Sequence, residues 1–133
     1  MYEFSYHKPS SVADAVKLLA ADPEARPVSG GMTLLPALKL RLSKPTSLVD
    51  FSGIAELRGV KRDGNTIVIG ALTKHYEVAT SAVIKAAIPA LAWMASTIGD
   101  TQVRNRGTMG GSVANNDPSA DYPAALLALG ATI

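Results

Sequence analysis

Two Gly-Gly pairs set among hydroxylic side chains are the features of this sequence best suited to chemistry. One is Ser29-Gly30-Gly31-Met32-Thr33, with Leu34 just behind it. The other is Thr108-Met109-Gly110-Gly111-Ser112. Paired glycines let successive amide groups point into one concavity, and they remove the Cβ atoms that would keep a phosphate at a distance. Hydroxyls add further donors. A pyrophosphate presents two negative charges and many acceptors, so two such loops clamping it from opposite sides would suit it. Each pair taken alone is more often a tight turn than a phosphate site. Neither is a G-x-G-x-x-G or a G-x-x-x-x-G-K-[ST] motif, so the usual mononucleotide folds are not indicated.

The acidic residues that follow the second pair admit two readings each. Asp117 precedes Pro118 and can open a turn or cap the next helix. Asp121 lies near the start of that helix, where it either favours the helix dipole or accepts hydrogen bonds from a sugar or ribityl hydroxyl. Arg104 and Arg106 flank the second loop and could approach a phosphate or sit solvated at the surface. Ile98 could face the core or a flat cofactor ring. Trp93 and Met94 fall in a helical run and read as core. His7 and His75 are isolated from any ligand cluster, which argues against a metal site, and no G-x-S-x-G nucleophile is present.

The elements that must carry these residues follow from periodicity and punctuation. "YEFSYHKP" reads as extended. "PSSVADAVKLLAAD" reads as a helix capped by Ser10 or Ser11, with Val12, Ala15, Val16 and Leu19 on one face. "RPVSGG" is a short strand entering a glycine turn, "MTLLPALKLRL" a helix with Thr33 as N-cap, and "TSLVDFS" a buried strand. "LRGVKRDGNTIVIGA" is a β-hairpin with Asp63-Gly64 near its turn. "TKHYEVATSAVIKAAIPALAWMASTIG" is helical in pieces, broken before Pro89. The second glycine pair is expected in a loop, because its mixture of residues suits neither a strand nor a helix interior. "PSADYPAALLALG" is a helix ended by Gly130, and "ATI" a strand just beginning. The expected organisation is a small N-terminal α/β subdomain over 1–56, carrying the first glycine loop. The first part of a larger mixed subdomain follows over 57–133, an α+β arrangement that looks truncated.

Composition narrows the functional classes. The chain has 133 residues, 47% of them hydrophobic and 18% charged, enough for a packed core. A net charge of +2, with no basic block interleaved with aromatics, argues against nucleic-acid binding. The absence of cysteine excludes disulfides and cysteine-ligated clusters within these residues. No secretory signal and no membrane-spanning stretch is evident, so a soluble cytoplasmic protein is the expectation.

Together, "VSGGMTLLPALKLRL" and "TQVRNRGTMGGSVANNDPSADYPAALLALGA" resemble the FAD-binding (medium) subunits of molybdenum hydroxylases, the family that includes those of carbon monoxide and xanthine dehydrogenases. "FSYHKPSSVADAVKLLA" and "LVDFSGIAELRGV" are similar to its usual opening. The resemblance covers essentially the whole chain. It implies an FAD-binding fold of the p-cresol methylhydroxylase type, with the diphosphate between the two glycine loops. It also implies Asp121 as the acidic FAD ligand and Ile98 as an apolar position near the cofactor. It implies a hetero-oligomer, in which a large subunit holds molybdopterin and a small subunit holds 2Fe-2S clusters. Electrons then pass through FAD to an external acceptor. A Val at Gly31 or Gly110 is expected to weaken FAD binding far more than folding. The alternatives are a non-redox nucleotide- or anion-binding module, or a truncated assembly piece with empty loops.

Overall fold

The computed structural model describes all of residues 1–133. The chain forms two compact units, Met1–Leu57 and Arg58–Ile133, of mixed α/β structure.

The first unit runs β1 (Ser5–His7), α1 (Val12–Ala21), β2 (Arg26–Val28), α2 (Leu34–Lys39) and β3 (Ser47–Asp50). The three strands form a parallel sheet in the order β1-β3-β2, with Tyr6 opposite Leu48 and Pro27 opposite Val49. As the central strand, β3 is covered on both faces, so Ser47, Leu48 and Val49 are all buried. At its end, the Asp50 carboxylate accepts hydrogen bonds from the Tyr6 hydroxyl of β1 and from the amide and hydroxyl of Ser52. That acceptor role ties the edge strand to the centre and shapes the turn that follows.

Helix α1 begins where Ser11 caps it. The Ser11 Oγ accepts the Asp14 amide at 3.1 Å, and the Ser11 hydroxyl donates to the Asp14 carboxylate at 2.8 Å. The buried face differs from the sequence expectation. Ala15, Leu18 and Leu19 pack with Ala25, Val49 and Ile54, whereas Val12 and Val16 are 37% and 57% exposed. A small sheet gives the helix room to bury only one narrow stripe, and the small Ala15 lies at its centre.

The second unit opens with a hairpin, β4 (Val60–Asp63) and β5 (Thr66–Ile69), whose two loop residues are Gly64 and Asn65. Gly64 sits at φ +57°, a left-handed conformation that suits glycine. Six helices follow: α3 (His75–Thr80), α4 (Ala82–Ala87), α5 (Pro89–Thr97), α6 (Thr101–Arg106), α7 (Met109–Asn115) and α8 (Asp121–Ala128). Pro89 opens α5, where its missing N–H costs nothing. Val78, Ala79, Ile84, Leu91, Ala92, Ala95 and Tyr122 form the core, with Ile67 and Ile69 of the hairpin packed on it. No helix is long and apolar enough to cross a membrane.

Three expectations are corrected here. The second glycine pair is not in a loop: Thr108 is the N-cap of α7, and Met109 to Ser112 are its first four residues. Trp93 is not core but 71% exposed on α5, while its neighbour Met94 does pack inward. Residues 131–133 are not a strand. Instead Gly130 takes φ +60°, its amide bonds to Leu127 O and the Ala131 amide to Leu126 O, which closes the end of α8.

The packing separates two kinds of apolar residue on the first unit. Ile54→Ala empties a fully buried site and is expected to cost about 2–5 kcal/mol. Val16→Ala, on the exposed side of α1, is expected to change stability by less than about 0.5 kcal/mol. Urea unfolding followed by circular dichroism checks both.

Candidate functional site

The first glycine turn leaves β2 and enters α2. Gly31 takes φ +75°, and its carbonyl accepts the Leu35 amide at 3.0 Å. No hydrogen bond within the protein engages the amides of Gly30, Gly31, Met32 or Thr33, although Gly30 is buried. A run of four unengaged donors is what an anionic oxygen cluster requires. Thr33 is the N-cap residue by position, but its backbone is already helical and its side chain makes no capping bond. Its exposed hydroxyl is therefore left over. Leu34, half-buried, starts the helix.

The second turn is built the opposite way. The His75 amide donates to Gly107 O at 3.1 Å, the Met109 amide to Thr73 O at 2.9 Å and the Gly110 amide to Ala71 O at 2.9 Å. Lys74 and Thr108 form an antiparallel bridge in the same ladder. The Gly111 amide donates to Thr108 Oγ1 at 3.1 Å and the Ser112 amide to Thr108 O at 3.0 Å. All four amides from Met109 to Ser112 are thus used inside the protein. These glycines permit close approach and do not present donors. A Cβ on Gly110 would lie 2.6 Å from Ala71 Cβ and 2.7 Å from its Cα and carbonyl oxygen.

That geometry overturns the expected effect of Gly110→Val, which would disrupt the fold itself. Gly31→Val carries the same burden, because a β-branched residue at φ +75° is strained and its Cβ would meet Leu35 Cδ1 at 2.8 Å.

The remaining candidates are placed as follows. Ile98 ends α5 and packs against the core of the second unit, and its carbonyl accepts from the Arg104 guanidinium at 3.1 Å. Arg104 also donates to Gly99 O, so its charge is committed to the end of α5. Asp117 opens a turn, accepting the Ser119 amide at 2.8 Å, and does not cap α8. Asp121 is the first residue of α8, exposed and outside any salt bridge.

Sequence reasoning missed a buried polar cluster beneath the second turn. The Thr73 hydroxyl donates to Gly59 O and accepts the Gly59 amide, which pins the start of the hairpin. The His75 ring is buried, with Nδ1 3.3 Å from the Tyr122 hydroxyl and ring centroids 5.4 Å apart. Burial holds His75 below its usual pKa, against the opposing pull of the Asp121 carboxylate. Burial, and then Asp121, push the Tyr122 hydroxyl upward. An isolated histidine after "LTK" gave no periodic signal that it pairs with a tyrosine 47 residues away.

The profile described as "FAD binding domain in molybdopterin dehydrogenase" matches residues 2–133. The chain belongs to this family. It is 45% identical to the carbon monoxide dehydrogenase medium chain of Hydrogenophaga pseudoflava, over 95% of this chain and 44% of that one. It is 42% identical to the glyceraldehyde dehydrogenase medium chain of Sulfolobus acidocaldarius, over 98% of this chain and 47% of the relative. Among solved structures, carbon monoxide dehydrogenase from H. pseudoflava matches 93% of this chain at 46% identity and a TM-score of 0.92, covering 44% of that chain. The chain thus spans somewhat under half the length of these relatives. The residues fit FAD in two respects visible in the fold: the unengaged amides of Gly30 to Thr33 suit a diphosphate, and the free carboxylate of Asp121 suits hydroxyl donors.

Two outcomes follow from the second turn. Gly110→Ala is expected to cost about 1–3 kcal/mol, because Ala71 backbone atoms cannot move aside cheaply, even though alanine is the better helix former. Thermal and urea unfolding without FAD check this.

The second outcome concerns pH. The folded pKa of His75 lies below its ordinary 6.5, so below that pH the unfolded chain takes up a proton that the fold resists. Stability attributable to His75 is complete above pH 6.5 and is lost as pH falls through the lower folded value. Asp121 and Tyr122 on α8, Lys74, Tyr76 and Glu77 beside His75, Lys85 on α4, and Arg104 and Arg106 on α6 are the charged or titratable groups on the neighbouring elements. His75→Gln is expected to flatten the stability profile as pH falls below 6.5, checked by urea unfolding across that range.

Proposed function

We propose that this chain is the FAD-holding part of an electron-transfer subunit in a molybdenum-containing hydroxylase. In this reading, Ser29 to Leu34 of the first unit serve the diphosphate with backbone amides and the Thr33 hydroxyl. In the second unit, Thr108 to Ser112 contribute mainly shape and the Ser112 hydroxyl, since their amides are already engaged. Asp121 accepts hydrogen bonds from the sugar region, and Ile98 lines the apolar surroundings of the cofactor. The complete subunit then has the p-cresol methylhydroxylase-type fold, works in the cytoplasm and assembles with a molybdopterin-binding large subunit and an iron–sulfur small subunit.

The observation that carries this reading is the family match across residues 2–133. When bound, FAD supplies the redox chemistry, which no side chain of this chain provides. The protein's own work is to bind, orient and shield. The unengaged amides of Gly30 to Thr33 replace water around the diphosphate without breaking any internal hydrogen bond. That is inexpensive binding, because no backbone must rearrange. In this reading, substrate oxidation belongs to the molybdopterin subunit, and these 133 residues hold no cysteine with which to ligate an iron–sulfur cluster.

Asp121→Asn separates cofactor binding from folding, because Asp121 is exposed and outside any salt bridge. Its FAD affinity is expected to fall by about 1–3 kcal/mol, the worth of a hydrogen bond to a charged group. Its thermal stability stays near that of the wild type. Calorimetric titration of the native subunit with FAD, ADP and NAD, alongside the visible flavin spectrum, makes the measurement. Equal uptake of all three nucleotides would replace this reading with a general anion-binding module.

A further inference from the structure

We infer that His75 and Tyr122 are positioning residues, whose contact holds Asp121 in place beside the second glycine turn. The inference rests on the reading of Asp121 as an FAD ligand.

The case starts from how α8 is attached. The connection from α7 to α8 is exposed from Asn116 to Ser119, and its hydrogen bonds are local: the Asn116 amide donates to Val113 O, and Asp117 accepts from the Ser119 and Ala120 amides. Such a segment cannot fix the start of α8 by itself. Tyr122, next to Asp121, is the one residue of α8 that is completely buried. A buried tyrosine hydroxyl needs a polar partner, and the partner here is His75 Nδ1 at 3.3 Å. The two rings lie tilted by 37° with centroids 5.4 Å apart.

The other end of the histidine is fixed by the turn itself. The His75 amide donates to Gly107 O, and a Cβ on Gly107 would lie 2.6 Å from His75 Nε2. The ring therefore rests against the glycine that precedes Thr108. One imidazole spans from the residue before the glycine turn to the residue after Asp121. Neutral imidazole suits this position, because it satisfies the tyrosine hydroxyl without placing a charge in the core. If the hydroxyl contact is lost, Tyr122 keeps its bulk but loses its polar anchor, and Asp121 is free to rotate with the helix start.

The test uses the native subunit and a double-mutant cycle read in FAD dissociation constants and melting temperatures. Tyr122→Phe removes only the hydroxyl and keeps the ring. It is expected to weaken FAD binding by about 3- to 10-fold while moving the melting temperature little, a split that a merely structural tyrosine would not show. Asp121→Asn weakens FAD binding in the wild-type background. In the Tyr122→Phe background it is expected to add less than about 2-fold, because a misplaced carboxylate has little left to lose. His75→Asn keeps a polar atom near the Nδ1 position and is expected to bind FAD more tightly than His75→Ala. The inference is overturned if Tyr122→Phe binds FAD like the wild type, or if the two substitutions multiply independently, with Asp121→Asn still damaging. That pattern leaves the role of Asp121 standing. If Asp121→Asn alone changes nothing, the assignment of Asp121 falls and this inference falls with it. A wild-type subunit that takes up no FAD removes the cofactor reading as a whole.

Discussion

The organisation of the second unit depends on a short backbone ladder between residues 71–75 and 107–110. Its rungs are the amides of His75, Met109 and Gly110, each donating across to the facing carbonyl. The ladder requires the first turn of α7 to lie directly against Ala71, and a side chain on Gly110 would crowd that contact. From it follow the direction of α7, the seat of Thr108 as an N-cap and the placement of His75 beneath the turn. Thr73, inside the same segment, holds the hairpin through Gly59. One stretch of main chain thus joins the hairpin, α3 and α7 into a single body.

The two glycine pairs look alike in sequence and solve different problems. In the first, glycine supplies a left-handed backbone at Gly31 and leaves a row of amides unengaged. In the second, glycine removes bulk so that a helix can lie against another segment, and the amides from Met109 to Ser112 are all satisfied. Equal sharing of phosphate binding between the two pairs does not follow from their similar composition. The first pair leaves donors open, and the second only makes room for a close contact.

Much of the first unit was legible. The Ser11 cap, the turn after β2 and the apolar Leu48-Val49 centre of β3 each carry a local signal that short-range physics alone can produce. The periodic face of α1 misled, because Val12 and Val16 are apolar but the sheet is too small to cover them. In the second unit the hairpin and the break at Pro89 were readable from turn chemistry. The helix through Met109–Asn115 was not, since two glycines argue against a helix interior and the ladder that overrides them is a long-range contact. The His75–Tyr122 pair was invisible for the same reason: nothing local marks two polar rings that meet only after folding. Family resemblance reached the candidate cofactor residues where spacing left alternatives open, most plainly for Asp121.

Trp93 is the sole tryptophan, and it stands on α5 with most of its surface in water. Its indole already emits from an aqueous setting in the folded chain, so unfolding changes that setting little. Intrinsic fluorescence is therefore a poor witness to denaturation here. It is a sensitive witness to anything that comes to rest on that face of α5, because covering the indole is the larger change in its surroundings.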